Sequence, residues 1–219
     1  MKSNFDFLDN EFPVLAQFGK RAELYLYSDS NSCLMKLGMI GETVVNLMFT
    51  YDRITLPAEN TAVNRIAVLF REGLLTQDLV DILHALRKVR NKAVHENYAS
   101  VVDGKVLLQM AHSLCEWFMQ TYGDWNYKNK PFVLPANLPV EVSTDTGAEQ
   151  EHEKQLSKEA EEKAAASDSV AKEKRRQQAA KAASQRQKTE AETRYMIDQQ
   201  LRQVGWEADT ENLRFSKGT

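Results

Sequence analysis

Cysteine is nearly missing from this chain: Cys33 and Cys115 are the only two in 219 residues. They form no C-x-x-C pair, so neither a disulfide framework nor a cysteine-built zinc site is signalled. Proline and glycine are also few, at five and nine, and runs of alternating β-branched residues are scarce. That scarcity argues against a sandwich or barrel and leads to an all-α expectation. A net charge of -3 gives no overall attraction to nucleic acid or to an anionic membrane. The opening MKSNFDFLDNEF contains acidic residues and no apolar leader core, and no stretch reads as the roughly 20 apolar residues of a membrane span. The expectation is a cytoplasmic chain with no membrane partner. No Walker-type glycine loop, G-x-S-x-G elbow or dinucleotide fingerprint occurs, so ATP hydrolysis, esterase and redox chemistry lack a basis in these residues.

Amphipathic periodicity is strong through the first 140 residues, which read as a small helical bundle. Pro13 opens a helix in which Leu15, Phe18, Ala22 and Leu26 recur at spacings of three and four, and the cluster Ser28 to Asn31 closes it and caps the next. The second helix extends to about Phe49 with Leu37, Ile40, Gly41, Val44 and Met48 on its buried stripe. A short third helix holds Ile66, Leu69 and Phe70. Thr76 caps a fourth, which carries Leu79, Ile82, Leu83, Leu86 and Val89 into the polar run RKVRNKAVHE. An Asp103-Gly104 turn is expected to open a fifth, through Leu107, Ala111, Leu114 and Phe118. The prolines after YGDWNYKNK predict an extended exit.

Residues 141–188 are a charged helical linker. From Glu149 to Thr189 no aromatic residue occurs, and Leu156 and Val170 are the only large apolar side chains. Such a stretch predicts a solvated spacer helix, with no heptad able to hold a coiled-coil dimer. Its acidic block around Glu149–Glu162 and its basic block from Lys172 to Lys188 also admit a self-paired hairpin. The basic block, with Lys172, Lys174, Arg175 and Arg176 as candidates, suits nucleic-acid phosphates but lacks interleaved aromatics for stacking on bases. From Thr189 a T-x-x-E capping box starts a helix with Tyr195, Met196, Ile197, Leu201 and Val204 on its apolar face, stopped by Gly205. Residues 189–219 read as the beginning of an incomplete further domain.

One constellation carries possible chemistry. Arg90, Asn91 and His95 stand in an R-x4-H arrangement within RKVRNKAVHE. Cleaving a phosphodiester without a metal calls for a proton-transfer group near neutrality and a cation facing the phosphate, roles that histidine and arginine fill. On a continuous helix, positions five apart are splayed by about 140°, whereas Arg87, Asn91 and His95 align at spacings of four. Two copies facing each other in a homodimer would be one way to complete such a site. Lys36 and Glu42 are supporting candidates for the same polar cluster. The competing, purely structural role for these residues is to satisfy the last carbonyls of their helix. His84 and His112 read as partly buried helix histidines, and no metal site is expected.

The R-x4-H motif resembles that of the HEPN superfamily, small helical domains many of which cut RNA without metal. Taken together, SNFDFL, LYSDSNSCLMKLGMIGE, LRKVRNKAVHE, PFVLP and the C-terminal RYMIDQQLRQVGWEADTENLRFSKG resemble the N-terminal region of the restriction (R) subunit of type I restriction enzymes. That region is likewise assigned to the HEPN group. The resemblance implies a place in a restriction-modification system, docking or regulating beside modification and specificity subunits. In the full-length subunit of that family an endonuclease using Mg²⁺ cuts DNA, and an ATP-driven motor translocates it. The motifs for both would lie beyond Thr219, so no cofactor is expected for this chain. The alternative is a stand-alone, metal-independent HEPN-type ribonuclease or RNA-binding effector using Arg90 and His95.

Overall fold

The computed structural model describes residues 2–137, 146–167, 172–186 and 188–206. Among them there are helices and irregular segments and no strand, in keeping with the all-α expectation. A 3-10 turn, Asp6–Leu8, precedes α1 (Pro13–Ser28), α2 (Ser30–Tyr51), α3 (Ala62–Arg71), α4 (Gln77–Glu96), α5 (Val101–Tyr122), α6 (Thr146–Ala165), α7 (Lys172–Ser184) and α8 (Glu190–Gln203). The chain divides into two compact units, residues 1–186 and 187–219.

Local chemistry sets the helix boundaries. Pro13 occupies the first turn of α1, where its missing N–H costs nothing. Asp29 ends α1 and caps α2, its carboxylate accepting from the Ser32 N–H at 3.1 Å. Asn97 closes α4 in the left-handed conformation, at φ 50°. The fifth helix differs from its expected start. Ser100 caps it by accepting from the Asp103 N–H, and Asp103 and Gly104 lie inside its first turn. Gly104 is a packing residue there: a Cβ would come 2.8 Å from Leu26 Cδ1, so α5 crosses α1 at a distance only glycine allows.

The centre of the first unit is α5, buried almost all round, as expected of a helix enclosed by others. Phe118 lies between Phe12 and Tyr122, with ring centroids at 4.7 and 4.8 Å. α2 packs on α1, α4 and α5. At 22 residues it is long and apolar enough to cross a membrane, contrary to the reading that no such stretch exists. Its apolar residues are instead buried against the neighbouring helices. α3 holds Ile66, Leu69 and Phe70 as expected; Ile66 and Leu69 form its buried side, and Phe70 is 45% exposed. Both cysteines are buried and free, and burial pushes the Cys33 thiol up to about 12.

The exit from α5 is extended and strapped to the N-terminus. Asn4 donates to the Val133 carbonyl at 2.8 Å and accepts from the Val133 N–H at 2.9 Å. Beneath this strap His112 is 3% exposed and ringed by Phe5, Phe7 and Phe132. Burial there lowers its pKa from 6.5 to about 4. The folded protein therefore holds a neutral imidazole, and between those two pH values only the unfolded chain takes up the proton. Stability attributable to His112 is intact above pH 6.5 and falls by about 3 kcal/mol as the pH drops to 4. Glu116, whose Oε2 lies 3.8 Å from the ring, opposes this, because burial raises its pKa and its folded form keeps a proton to higher pH. Urea midpoints measured from pH 7 to 4 should fall more steeply for the native protein than for His112→Gln. Equal slopes would remove His112 as the cause.

The segment read as a solvated spacer carries two helices that pack on the bundle. α6 lies against α1 and α2, and α7 against α5. Glu149 pairs with Arg21 at 3.1 Å, and Glu153 pairs with Lys36. Lys163 reaches Glu11 at 2.9 Å. On α7, Ala179 and Ala182 are buried, and the Trp117 indole donates to the Ala179 carbonyl at 3.1 Å. Members of both charge blocks thus find partners on the bundle, which is not the arrangement of a self-paired hairpin.

In the second unit Thr189 caps α8, accepting from the Glu192 N–H at 3.2 Å as the capping-box spacing predicts. Gly205, at φ 87°, follows the helix end. Ile197, Leu201, Val204 and Trp206 are exposed.

Candidate functional site

α4 is one continuous helix from Gln77 to Glu96, so Arg90 and His95 leave it in directions about 140° apart. They do not converge within the chain. Arg90 turns to α2, where its guanidinium meets Glu42 Oε2 at 2.8 Å. The close approach of the two helices is set by Gly38, where a Cβ would lie 2.2 Å from Arg90 Cβ. Asn91 and His95 are exposed. The task of finishing the helix, weighed above for these polar residues, belongs to Asn31, which donates to the carbonyls of Ala93 (2.9 Å) and Tyr98 (2.8 Å).

Arg87, Arg90 and Asn91 line a cleft of about 320 Å³ between α2, α3 and α4, with Glu42 on the facing wall. His95 does not line it, and neither does Lys36, which is turned towards α6 and held by Glu153 and Glu149. Lys36 and Glu42 stand six positions apart on one helix and so point about 120° apart. The structure assigns them to different faces.

Sequence reasoning missed the residue that completes the cleft, Arg65 of α3. Its Nε donates to Asn60 Oδ1 at 2.6 Å, and its Nη1 donates to Asn46 Oδ1. Both acceptors are neutral, so the guanidinium is positioned without being neutralised. Arg87 Nε is buried and has no hydrogen-bond partner among the described residues. Three guanidiniums therefore face one carboxylate. Arg87 also acts on His84, one turn before it: burial, then the charges of Arg87 and Lys88, lower the His84 pKa, with Asp81 opposing. Val45, Ile66 and Leu83 add apolar side chains to the same lining. No signal in the sequence around Arg65 ties it to α4, because the connection is made only by the packing of α3 against α4 and α2.

The basic run is placed differently from its reading as a phosphate-binding face. Arg175 is 5% exposed, and its guanidinium contacts Asp52 Oδ1 at 2.8 Å. Arg176 and Lys172 share Glu72, at 2.9 and 3.0 Å. That pairing holds the Glu72 carboxyl below its usual range, chiefly through the hydrogen bond from Lys172. Of the four candidates only Lys174 is exposed. Three of the four charges serve to hold α7 to the bundle. Among the described residues no group of three or more His, Cys, Asp or Glu is placed to hold a metal ion.

The structure thus defines an all-helical bundle with an arginine-lined cleft between its second, third and fourth helices. By sequence the chain belongs to the family described as a domain of unknown function, DUF4145, whose model matches residues 20–166. Along 99% of its length it is also 30% identical to the type I restriction enzyme EcoKI endonuclease subunit of Escherichia coli K12. The chain spans 23% of that subunit's length. No solved structure gives a match.

Proposed function

We propose that this chain is the N-terminal region of the restriction subunit of a type I DNA restriction-modification system, and that its helical unit docks or regulates and does not itself cut DNA. The observation that carries this is the extent of the similarity to the EcoKI endonuclease subunit. It runs through the helical unit and on beyond residue 166, where the DUF4145 match ends. In this reading the activities of a whole restriction subunit, DNA cleavage with Mg²⁺ and ATP-driven translocation, belong to other parts of such a protein. The described residues do not fit either group, having neither a metal-holding carboxylate cluster nor a glycine-rich phosphate loop. The partners are the modification and specificity subunits, with DNA reached through the complete assembly in the cytoplasm.

A metal-independent HEPN-type ribonuclease is the second reading, favoured by the placement of Arg90 and Asn91 on the cleft. It needs His95 from elsewhere, and a second copy in a homodimer is the natural source. One experiment separates the two. The chain is passed over a gel-filtration column with the purified modification-specificity complex of its own host, and in parallel incubated with RNA in chelator beside His95→Ala. Co-elution with no RNA cleavage is the expected result. Cleavage that His95→Ala abolishes, with no co-elution, would replace the docking reading by the ribonuclease.

A further inference from the structure

We propose that the groove filled by α7 is a docking site for an arginine-bearing helix of a partner protein, and that α7 is its built-in competitor. The inference stands apart from the docking reading: it assigns a surface of the bundle whether or not the chain assembles with modification and specificity subunits.

The groove is shaped for a guanidinium. Tyr51 ends α2 and Asp52 follows it, while Trp117 and Tyr122 come from α5. The Asp52 side chain is wholly buried and meets Arg175 Nη1 at 2.8 Å, and its other oxygen accepts from the Tyr122 hydroxyl at 2.7 Å. The guanidinium also lies over the rings of Tyr51 and Tyr122. A planar cation set between aromatic faces and a carboxylate is a fit for arginine, and lysine does not reproduce it. One turn further along α7, the Trp117 indole donates to the Ala179 carbonyl. The groove therefore reads an arginine followed by alanines four and seven positions later, Ala179 and Ala182, which share one face of a helix. Glu72, just past α3, adds an outer carboxylate for flanking cations, here Lys172 and Arg176. An amphipathic helix laid in a groove is a recurring mode of recognition between proteins.

The seat that α7 takes in this groove is incomplete. The helix has no apolar side chain larger than alanine, so apolar burial contributes little to holding it. Arg176 Nε is buried without a hydrogen bond among the described residues. The pairs with Glu72 are partly exposed, where salt screens them. Beside the groove, Trp125 accepts from Gln178 through its carbonyl at 3.4 Å, yet it stays 43% exposed. That leaves aromatic surface which a partner with larger side chains can cover. Being tethered keeps α7 in place, because an attached helix competes at a high effective concentration. A partner helix that carries the same arginine on a fuller apolar face displaces it, and the acidic groove selects a basic one.

The test is fluorescence anisotropy of a labelled peptide of residues 172–186, KEKRRQQAAKAASQR, added to the full chain. It should bind an Arg175→Ala chain at least tenfold more tightly than the native chain, whose own α7 competes. Glu72→Gln, a change outside the aromatic pocket, loosens α7 by a second route and should give intermediate affinity. The same peptide carrying Arg175→Gln should bind none of these chains. Adding Asp52→Asn to Arg175→Ala should weaken binding tenfold or more, in a double variant whose helical circular dichroism is unchanged because both buried charges are gone. No binding to either loosened chain at millimolar peptide overturns the proposal. Equal affinity for the native and Arg175→Ala chains, or for the two peptides, overturns it as well. A native chain that elutes from gel filtration as a dimer, and as a monomer once Asp52→Asn is made, would put a second copy's α7 in the groove in place of a partner's helix.

Discussion

Asp52→Ala is expected to destabilise the protein by about 3–5 kcal/mol, the range for removing one partner of a buried ion pair. The Asp52 side chain has no exposure and that of Arg175 has 6%. The carboxylate accepts from Arg175 Nη1 at 2.8 Å and from the Tyr122 hydroxyl at 2.7 Å. The guanidinium stands 5.6 and 5.7 Å from the ring centres of Tyr51 and Tyr122. Burial and the neighbouring Asp52 carboxylate push the Tyr122 phenol well above its ordinary value, so it stays a donor. Without Asp52 the buried cation would lose the carboxylate that faces it among the aromatic rings. The least costly relief is for α7 to lift away and hydrate it. Urea unfolding should therefore show the loss, and trypsin should cut at Lys174 faster in the folded protein. A companion variant isolates the cause: Asp52→Asn with Arg175→Met removes both charges and should recover most of the stability. A loss below about 1 kcal/mol with unchanged proteolysis would mean that the pair does not fasten α7.

Trp117→Ala is expected to cost a similar amount, about 3–5 kcal/mol, through a different term. Trp117 is 2% exposed and among the largest fully buried side chains. Truncation opens a cavity at the centre of the bundle and also deprives the Ala179 carbonyl of its donor on α5. Trp117→Phe separates the two effects, since it keeps most of the apolar volume and loses only the N–H. Its cost should be nearer about 0.5–1.5 kcal/mol, that of one hydrogen bond, since the Ala179 carbonyl lies within α7 and keeps the helix's own donor. Chemical denaturation of the two variants checks the ordering. If Phe proved as damaging as Ala, packing would not be the larger contribution.

Each prediction concerns α7, the element whose role was least visible in the sequence. Its buried surface consists of Ala179, Ala182 and Arg175, which a hydrophobic-periodicity reading scores as solvated. Alanine contributes little apolar area, yet it permits the close approach that brings a backbone carbonyl to Trp117. A buried arginine is indistinguishable in sequence from an exposed one until its carboxylate is known, and Asp52 lies 123 positions away. The phosphate-binding reading of Lys172, Arg175 and Arg176 met the same obstacle. By contrast α1, α2 and α4 were legible because their apolar residues recur at three and four with capping residues at the ends. Gly104 was misread as a turn because its purpose, clearance for Leu26, involves a partner on another helix.

The sequence alone determined the helical class, the polar run at the end of α4 and the caps at Asp29 and Thr189, because these depend on residues within a few positions of one another. It set the condition under which Arg90 and His95 diverge, an unbroken helix of 3.6 residues per turn, and the structure supplied that continuity. Only the tertiary structure decided that Lys36 belongs with α6 and that Glu42 belongs with Arg90. Only it brought Arg65 to the same cleft as Arg87. These pairings follow from how closely the helices cross, with α2 and α4 pressed together at Gly38, and helix crossings join residues that no local pattern relates.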